Sequence, residues 1–154
     1  MKIAISGTHG SGKTTLVESL SRALPGYQVV EEPYYLLEAQ GHQFATPPSA
    51  EDLELQLSCS IASIAESAPN SIYDRCPVDF LAYLLASRRA GDVELDHWIP
   101  QARRALGQLD RIVFVPLEEP DRMRSARIEY PRLRRRVDER IRELLHADSW
   151  ECGA

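Results

Sequence analysis

Short apolar runs alternate along this chain with longer stretches whose apolar residues recur every three or four positions. The first run, 2–6 (KIAIS), is β-branched and stops at Gly7, as a buried strand does. Over 14–24, Leu16, Leu20 and Leu24 share a helical face that Pro25-Gly26 terminates. A second strand is expected over 27–31 (YQVVE), stopped by Pro33. GHQFATPP (41–48) reads as a loop, and Ser49 then opens a helix with Asp52 three residues on, a capping-box-like pair. Leu53, Leu57, Ile61 and Ile64 form its apolar stripe, with Gln56, Ser60 and Ser63 on a neighbouring polar face.

The third strand is 71–74 (SIYD). Pro77 suits the first turn of a helix through Phe80, Leu81, Leu84 and Leu85, with Arg88 and Arg89 in its last turn and a stop at Gly91. A weaker helical pattern covers 96–106, and 111–115 (RIVFV) is a strand bounded by Pro116. The last helix is expected over 131–146, on Leu133, Val137, Ile141 and Leu144. Strand and helix thus alternate four times, which predicts a parallel sheet with helices on both faces. SWEC (149–152) is a weak candidate for a fifth strand.

The chain's 154 residues suit a single domain over 1–154. With a net charge of −5, the balance gives no support to nucleic-acid or membrane-surface binding. Arginine nevertheless dominates from Arg122 to Arg142, a local basic region within an acidic protein. The three cysteines are widely spaced and form no C-x-x-C, which argues against a zinc site and a disulfide framework. No signal peptide or membrane-spanning run is evident, so a reduced, cytoplasmic protein is expected.

GTHGSGKTT (7–15) fits the phosphate-loop pattern G-x-x-x-x-G-K-[ST] at Gly7, Gly12, Lys13 and Thr14, between a strand and an amphipathic helix. Glycines let successive N–H groups curl toward phosphate oxygens, and the helix N-terminus adds partial positive charge. Gly7, Gly10, Ser11, Gly12, Lys13, Thr14 and Thr15 are the expected nucleotide-binding residues. Lys13 is expected on the β- and γ-phosphates and Thr14 on Mg²⁺. His9 reads as an exposed loop residue.

The class of reaction is narrowed by absences. Neither D-x-x-G nor N-K-x-D, the switch and guanine signatures of a GTPase, occurs. A motor ATPase carries four apolar residues running directly into Asp-Glu; here VFVPLEE (113–119) has its acids displaced behind Pro116. Those absences push toward small-molecule kinases, with a nucleotide-binding regulatory module or an ATPase without an acceptor as the alternatives.

Two further segments carry a specific resemblance. VVEEP (29–33) ends the second strand, and YDRCPVDFLAY (73–83) ends the third and begins a helix. The chain resembles the nucleoside and nucleotide kinase group of phosphate-loop proteins. The D-R-x-P-x-D-x-x-A-Y form is similar to the ATPase domain of nicotinamide-riboside-kinase-like proteins, which shade into AAA-family ATPases. The resemblance implies that Glu32 is the general base for an acceptor hydroxyl, since a carboxylate at a strand's C-terminal end faces the ligand crevice. Glu31 is its competitor, and strand alternation should turn only one of the two inward. The same resemblance implies that Asp74 assists Mg²⁺ through water and that Arg75 binds the acceptor or the transferring phosphate. Alternatively, Arg75 pairs structurally with Asp79 or Glu32. Cys76 is expected to be buried and inert.

The resemblance implies that Gln56 reads the acceptor's base, with an ordinary exposed glutamine as the alternative; Tyr34 and Tyr35 either line the acceptor pocket or simply pack. PDRMRSARIEYPRLRRR (120–136) stands where such kinases have a lid that supplies arginines to the transition state. Arg122, Arg124 and Arg127 are the lid candidates, Arg124 and Arg127 foremost, while Arg132–Arg142 reads as a solvated charged helix face. The expected fold is therefore α/β, a three-layer P-loop NTPase architecture with a four- or five-stranded parallel sheet and an Arg-rich lid. The expected partners are ATP with Mg²⁺ and a small-molecule acceptor, with oligomeric state, a homodimer included, left open.

Overall fold

The computed structural model describes residues 1–87, 94–118 and 130–146. β1 (Lys2–Ser6) leads into α1 (Lys13–Ala23), followed by β2 (Gln28–Val30), α2 (Pro33–Ala39), α3 (Ala50–Glu66) and β3 (Ser71–Asp74). After these come α4 (Pro77–Ala86), α5 (Leu95–Leu106), β4 (Arg111–Phe114) and α6 (Pro131–His146). The four strands form one parallel sheet in the order β2-β3-β1-β4. The possible fifth strand at 149–152 lies outside the described residues, as do Arg88, Arg89 and Gly91.

Alternation along the strands builds the three layers. Ile3, Ile5 and Ile72 turn to one face, where Val17 of α1 buries against them. Ala4 and Tyr73 turn to the other, onto Val78 and Ala82 of α4 and Val137 and Ile141 of α6. Leu53 and Leu57 of α3 join Phe80, Leu81 and Leu84 of α4 and Ala102 of α5 in a further cluster on that side. No helix among the described residues is long and apolar enough to cross a membrane.

Two expectations need correction. The second strand is shorter than 27–31, and a helix follows it at once. Pro33, expected to stop a strand, is instead the first residue of α2, where its missing N–H leaves no bond unmade. The expected polar face of α3 is also not solvated: Gln56 and Ser60 are buried. Gln56 reaches back to the Asp52 carbonyl at 3.4 Å, so its amide is accommodated by the helix itself.

The capping box at the start of α3 forms as expected and does more than end a helix. Asp52 accepts from the Ser49 N–H at 2.9 Å, and the Ser49 hydroxyl accepts from the Asp52 N–H at 3.1 Å. The same carboxylate takes the Ala45 N–H at 3.0 Å and lies 2.8 Å from His42 Nε2. One buried side chain thereby pins the loop between α2 and α3. Burial pushes the Asp52 carboxyl pKa up, but the bonds from Ser49, His42 and Ala45 outweigh it and hold the value below the ordinary one. Its stabilisation is therefore complete above the usual carboxylate range and lost as pH falls through the lowered folded value. Asp52→Ala should cost about 2 kcal/mol at pH 7. Urea unfolding should show that difference shrinking at acid pH; a difference that stays constant would remove the carboxylate from this role.

Candidate functional site

The strand order reverses direction at β1: the chain moves outward to β2, returns to β3 between them, then crosses to β4 beyond β1. Ligands in open α/β sheets sit at the carboxyl ends of strands at such a switch point. The ends of β1, β2 and β3 supply, respectively, the glycine loop, Glu32 and Asp74-Arg75.

The loop is held tightly from below. A Cβ on Gly7 would lie 2.6 Å from the Val115 carbonyl and 2.7 Å from Ser11 Oγ, so no other residue fits. Gly12 caps α1 with φ 94°, a left-handed conformation that glycine adopts without penalty. Gly10 and Ser11 complete the turn, and Thr14 and Thr15 stand on the exposed first turn of α1. Lys13 is buried, with Nζ 2.5 Å from the Thr8 carbonyl and 3.5 Å from Ser11 Oγ. Burial, then repulsion from Arg75, lowers its pKa to about 8 against the pull of Asp79, Glu32 and Asp74.

Arg75 gathers the other strand ends. Its backbone sits at φ 78°, a left-handed conformation that is strained for a non-glycine residue. Its Nε donates to Glu32 Oε1 at 2.5 Å and its Nη1 to the Gly7 carbonyl at 3.0 Å. Asp79 Oδ1 lies 3.6 Å away, and the guanidinium sits over the Tyr83 ring at 5.5 Å. Burial works against the charge, but Glu32 foremost, with Asp79, more than restores it and raises the pKa. Both structural partners foreseen for Arg75 are thus real.

Glu32, not Glu31, turns inward, as the residue preceding α2; Glu31 is exposed. Asp74 is buried and accepts from the Thr14 hydroxyl at 3.1 Å through Oδ2. Its Oδ1 is buried with no hydrogen-bond partner. Burial, then the Glu32 charge, raises its pKa against Arg75, Lys13 and Thr14. A bare carboxylate oxygen beside a threonine hydroxyl is a hard-oxygen pair that suits Mg²⁺, which takes few protein ligands and completes its shell with water and phosphate. The described residues contain no cluster of three or more histidine, cysteine or acidic ligands, so a softer or fully protein-caged metal is not what this donor set fits.

Two cavities meet over these groups. One, of about 490 Å³, lies on the loop and is lined by Gly10, Lys13, Thr14, Phe44 and Thr46. The other, of about 460 Å³, runs between α3 and α4 and is lined by Leu53, Gln56, Phe80, Tyr83 and Ser87. Glu32, Arg75 and Tyr34 line both. Tyr34 stacks on Phe44 at 4.3 Å, which fixes its ring at the shared wall. Gln56 and Tyr34, the expected acceptor-pocket residues, therefore line one cavity. Arg122, Arg124 and Arg127 lie outside the described residues.

Several residues do more here than the sequence predicts. Asp79 is fully buried and accepts from the Gly7 N–H at 2.9 Å and the Cys76 N–H at 3.0 Å, locking loop to helix. Tyr83 carries Arg75 on its ring while its hydroxyl takes the His9 N–H at 3.0 Å and meets His9 Nδ1 at 2.7 Å. His9 is accordingly half-buried and engaged, not a free loop residue. Asp79 and Tyr83 stand four apart on α4, on the face that begins at Asp74-Arg75, so helical spacing would have found them. Arg134, expected on a solvated face, is buried. It stands three before Val137 and seven before Ile141, on the buried face of α6. Cys76 is buried, and burial with the Asp79 charge pushes its thiol well up, so it is inert as expected.

The sequence profile of the AAA domain family matches residues 2–152. No curated protein matches. Among solved structures, the fold superposes on deoxyadenosine kinase from M. mycoides with bound dATP at a TM-score of 0.66 and 17% identity, over 98% of this chain and 86% of that chain. The same enzyme with products dCMP and a flexible dCDP gives 0.63 at 17% identity over the same shares, and with bound dCTP 0.59 at 16%. The architecture is that of the phosphate-loop kinases. No acidic pair closes β4, whose last residues are Val113 and Phe114; the carboxylate beside Thr14 comes from β3.

Lys13 is a cation below about pH 8 and neutral above it. Tripolyphosphate affinity should therefore fall as pH rises through that value, and binding at higher pH should take up a proton. Calorimetry in buffers of different ionisation enthalpy measures this uptake. Flat affinity and no uptake up to pH 10 would show that Lys13 does not meet the phosphates.

Proposed function

The chain belongs to the AAA domain family, and on that premise we propose that it is an ATP- and Mg²⁺-dependent phosphotransferase for a small hydroxylated or phosphorylated acceptor, a nucleoside, nucleotide or related metabolite. The observation that carries this reading is the Glu32–Arg75 pair on the wall shared by the two cavities. A nucleotide hydrolase needs only the loop side. The second cavity, with its aromatic and amide lining, gives an acceptor a place within reach of a carboxylate. The likeness in fold to deoxyadenosine kinase supports an acceptor of nucleoside type.

In this reading the loop amides and Lys13 hold the donor's phosphates, with the α1 N-terminus adding its dipole. Thr14 and Asp74 would hold Mg²⁺. When bound, the ion neutralises charge on the phosphoryl oxygens. Glu32 spends Oε1 on Arg75, which leaves Oε2 to accept the proton of an acceptor hydroxyl. Arg75 spends Nε and Nη1 on Glu32 and Gly7, which leaves Nη2 for an oxygen of the transferring group. A fixed fork here both orients the base and places positive charge where negative charge develops in the transition state.

An acceptor screen with ATP and Mg²⁺ should find at least one metabolite that raises ADP release above the water background. Glu32→Gln should then lower acceptor phosphorylation about 10²- to 10⁴-fold while leaving ATP affinity near that of the native protein. Lys13→Ala should abolish both. Turnover that ignores every acceptor and is insensitive to Glu32→Gln would make the protein an ATPase instead.

A further inference from the structure

The outer arm of the phosphate loop is gripped from two sides by side chains far away in sequence. From α4, the Tyr83 hydroxyl accepts the His9 N–H. From α6, Arg134 donates Nε to the His9 carbonyl and Nη2 to the Gly10 carbonyl, both at 2.8 Å. Arg134 is only 3% exposed. A buried guanidinium that donates to two adjacent backbone carbonyls of a phosphate loop holds that stretch of backbone in place. A loop that presents N–H groups to an anion must turn its carbonyls outward, where they repel one another and need donors. The planar fork of arginine meets two such carbonyls at once, which a lysine ammonium does not match.

We infer that Arg134 is a positioning residue for nucleotide binding: its fork holds the His9 and Gly10 carbonyls outward and so pre-organises the loop to receive polyphosphate. The inference rests only on the phosphate-holding half of the function proposed above, not on transfer. It also gives α6 a task. The helix packs Val137 and Ile141 into the core under the sheet, which fixes where the fork stands. Within α6, Arg142 and Arg140 are taken up by Asp138 and Glu143, so only Arg134 is spent on the loop among these three. The Arg134 charge reinforces anion binding, but the geometry is what lysine cannot supply.

The test uses the full chain and two probes, tripolyphosphate and ATP with Mg²⁺. Arg134→Lys keeps the charge, and Arg134→Ala removes both charge and fork. Both variants should bind either probe about tenfold or more weakly, the loss expected for charge-assisted hydrogen bonds. Amide exchange should quicken at residues 9–14 and stay unchanged in β1 and β3. Ethylguanidinium, and not ethylammonium, should restore affinity to Arg134→Ala. Affinity in Arg134→Lys equal to native, or losses in both variants fully explained by a lowered melting temperature with no guanidinium rescue, would overturn the inference. Transfer need not occur for any of these readings, so a failed acceptor screen and a failed fork are separate results.

Discussion

A guanidinium buried at the end of a parallel sheet survives only with partners for its charge, and Arg75 sets the terms on which this site is built. Its charge would carry a penalty of several kcal/mol without partners. Glu32 answers it from the end of β2, the Gly7 carbonyl from the end of β1, and Tyr83 and Asp79 from α4. Each contact therefore ties a different element to one point. The left-handed backbone at Arg75 stores strain there, and it persists because the surrounding contacts over-determine it. Glu32 is held at the proposed base position by its pairing with a buried cation.

The remaining geometry follows from that knot. Asp79 sits beneath it and fixes the first glycine of the loop through its N–H. Tyr83 carries the connection outward to His9, where Arg134 takes over from the neighbouring helix α6. The loop is consequently held at its floor by Val115 and at its rim by α4 and α6. Within it, positive and negative groups crowd closely enough to disturb one another: Lys13 is pushed down and Asp74 up. Both displacements run in the direction that a polyphosphate with a divalent cation would reverse, since the anion favours charged Lys13 and the cation favours charged Asp74. Perturbed groups gathered at a switch point support the proposed function.

Much of this was readable from residues alone, and the reasons for the rest are physical. All four strands of the described sheet, the second shorter than expected, and the helices that begin near Lys13, Ser49, Pro77, Leu95 and Pro131 followed from period and punctuation, because those signals are local. The phosphate loop was legible because its chemistry leaves glycine few substitutes. Glu32, Asp74 and Arg75 were placed by strand ends and by resemblance. What sequence hid was the sign of burial for polar residues. Gln56, Ser60 and Arg134 look solvent-facing until one sees that they share a helical face with core positions. Helix α2 was hidden because Pro33 can end a strand or begin a helix, and only the fold decides which. The pinning of the 42–49 loop by Asp52 was half visible as a capping pair; its hold on Ala45 and His42 depends on how the chain returns.

The account stands on one claim, that an acceptor's reacting oxygen is received at the Glu32–Arg75 pair. A crystal structure with Mg²⁺, a non-hydrolysable ATP analogue and the acceptor tests it most directly. The account predicts triphosphate on the loop, the acceptor in the cavity beside Gln56, and its oxygen about 2.6–3.2 Å from the Glu32 carboxylate. An acceptor bound elsewhere, with Glu32 and Arg75 untouched, would contradict it.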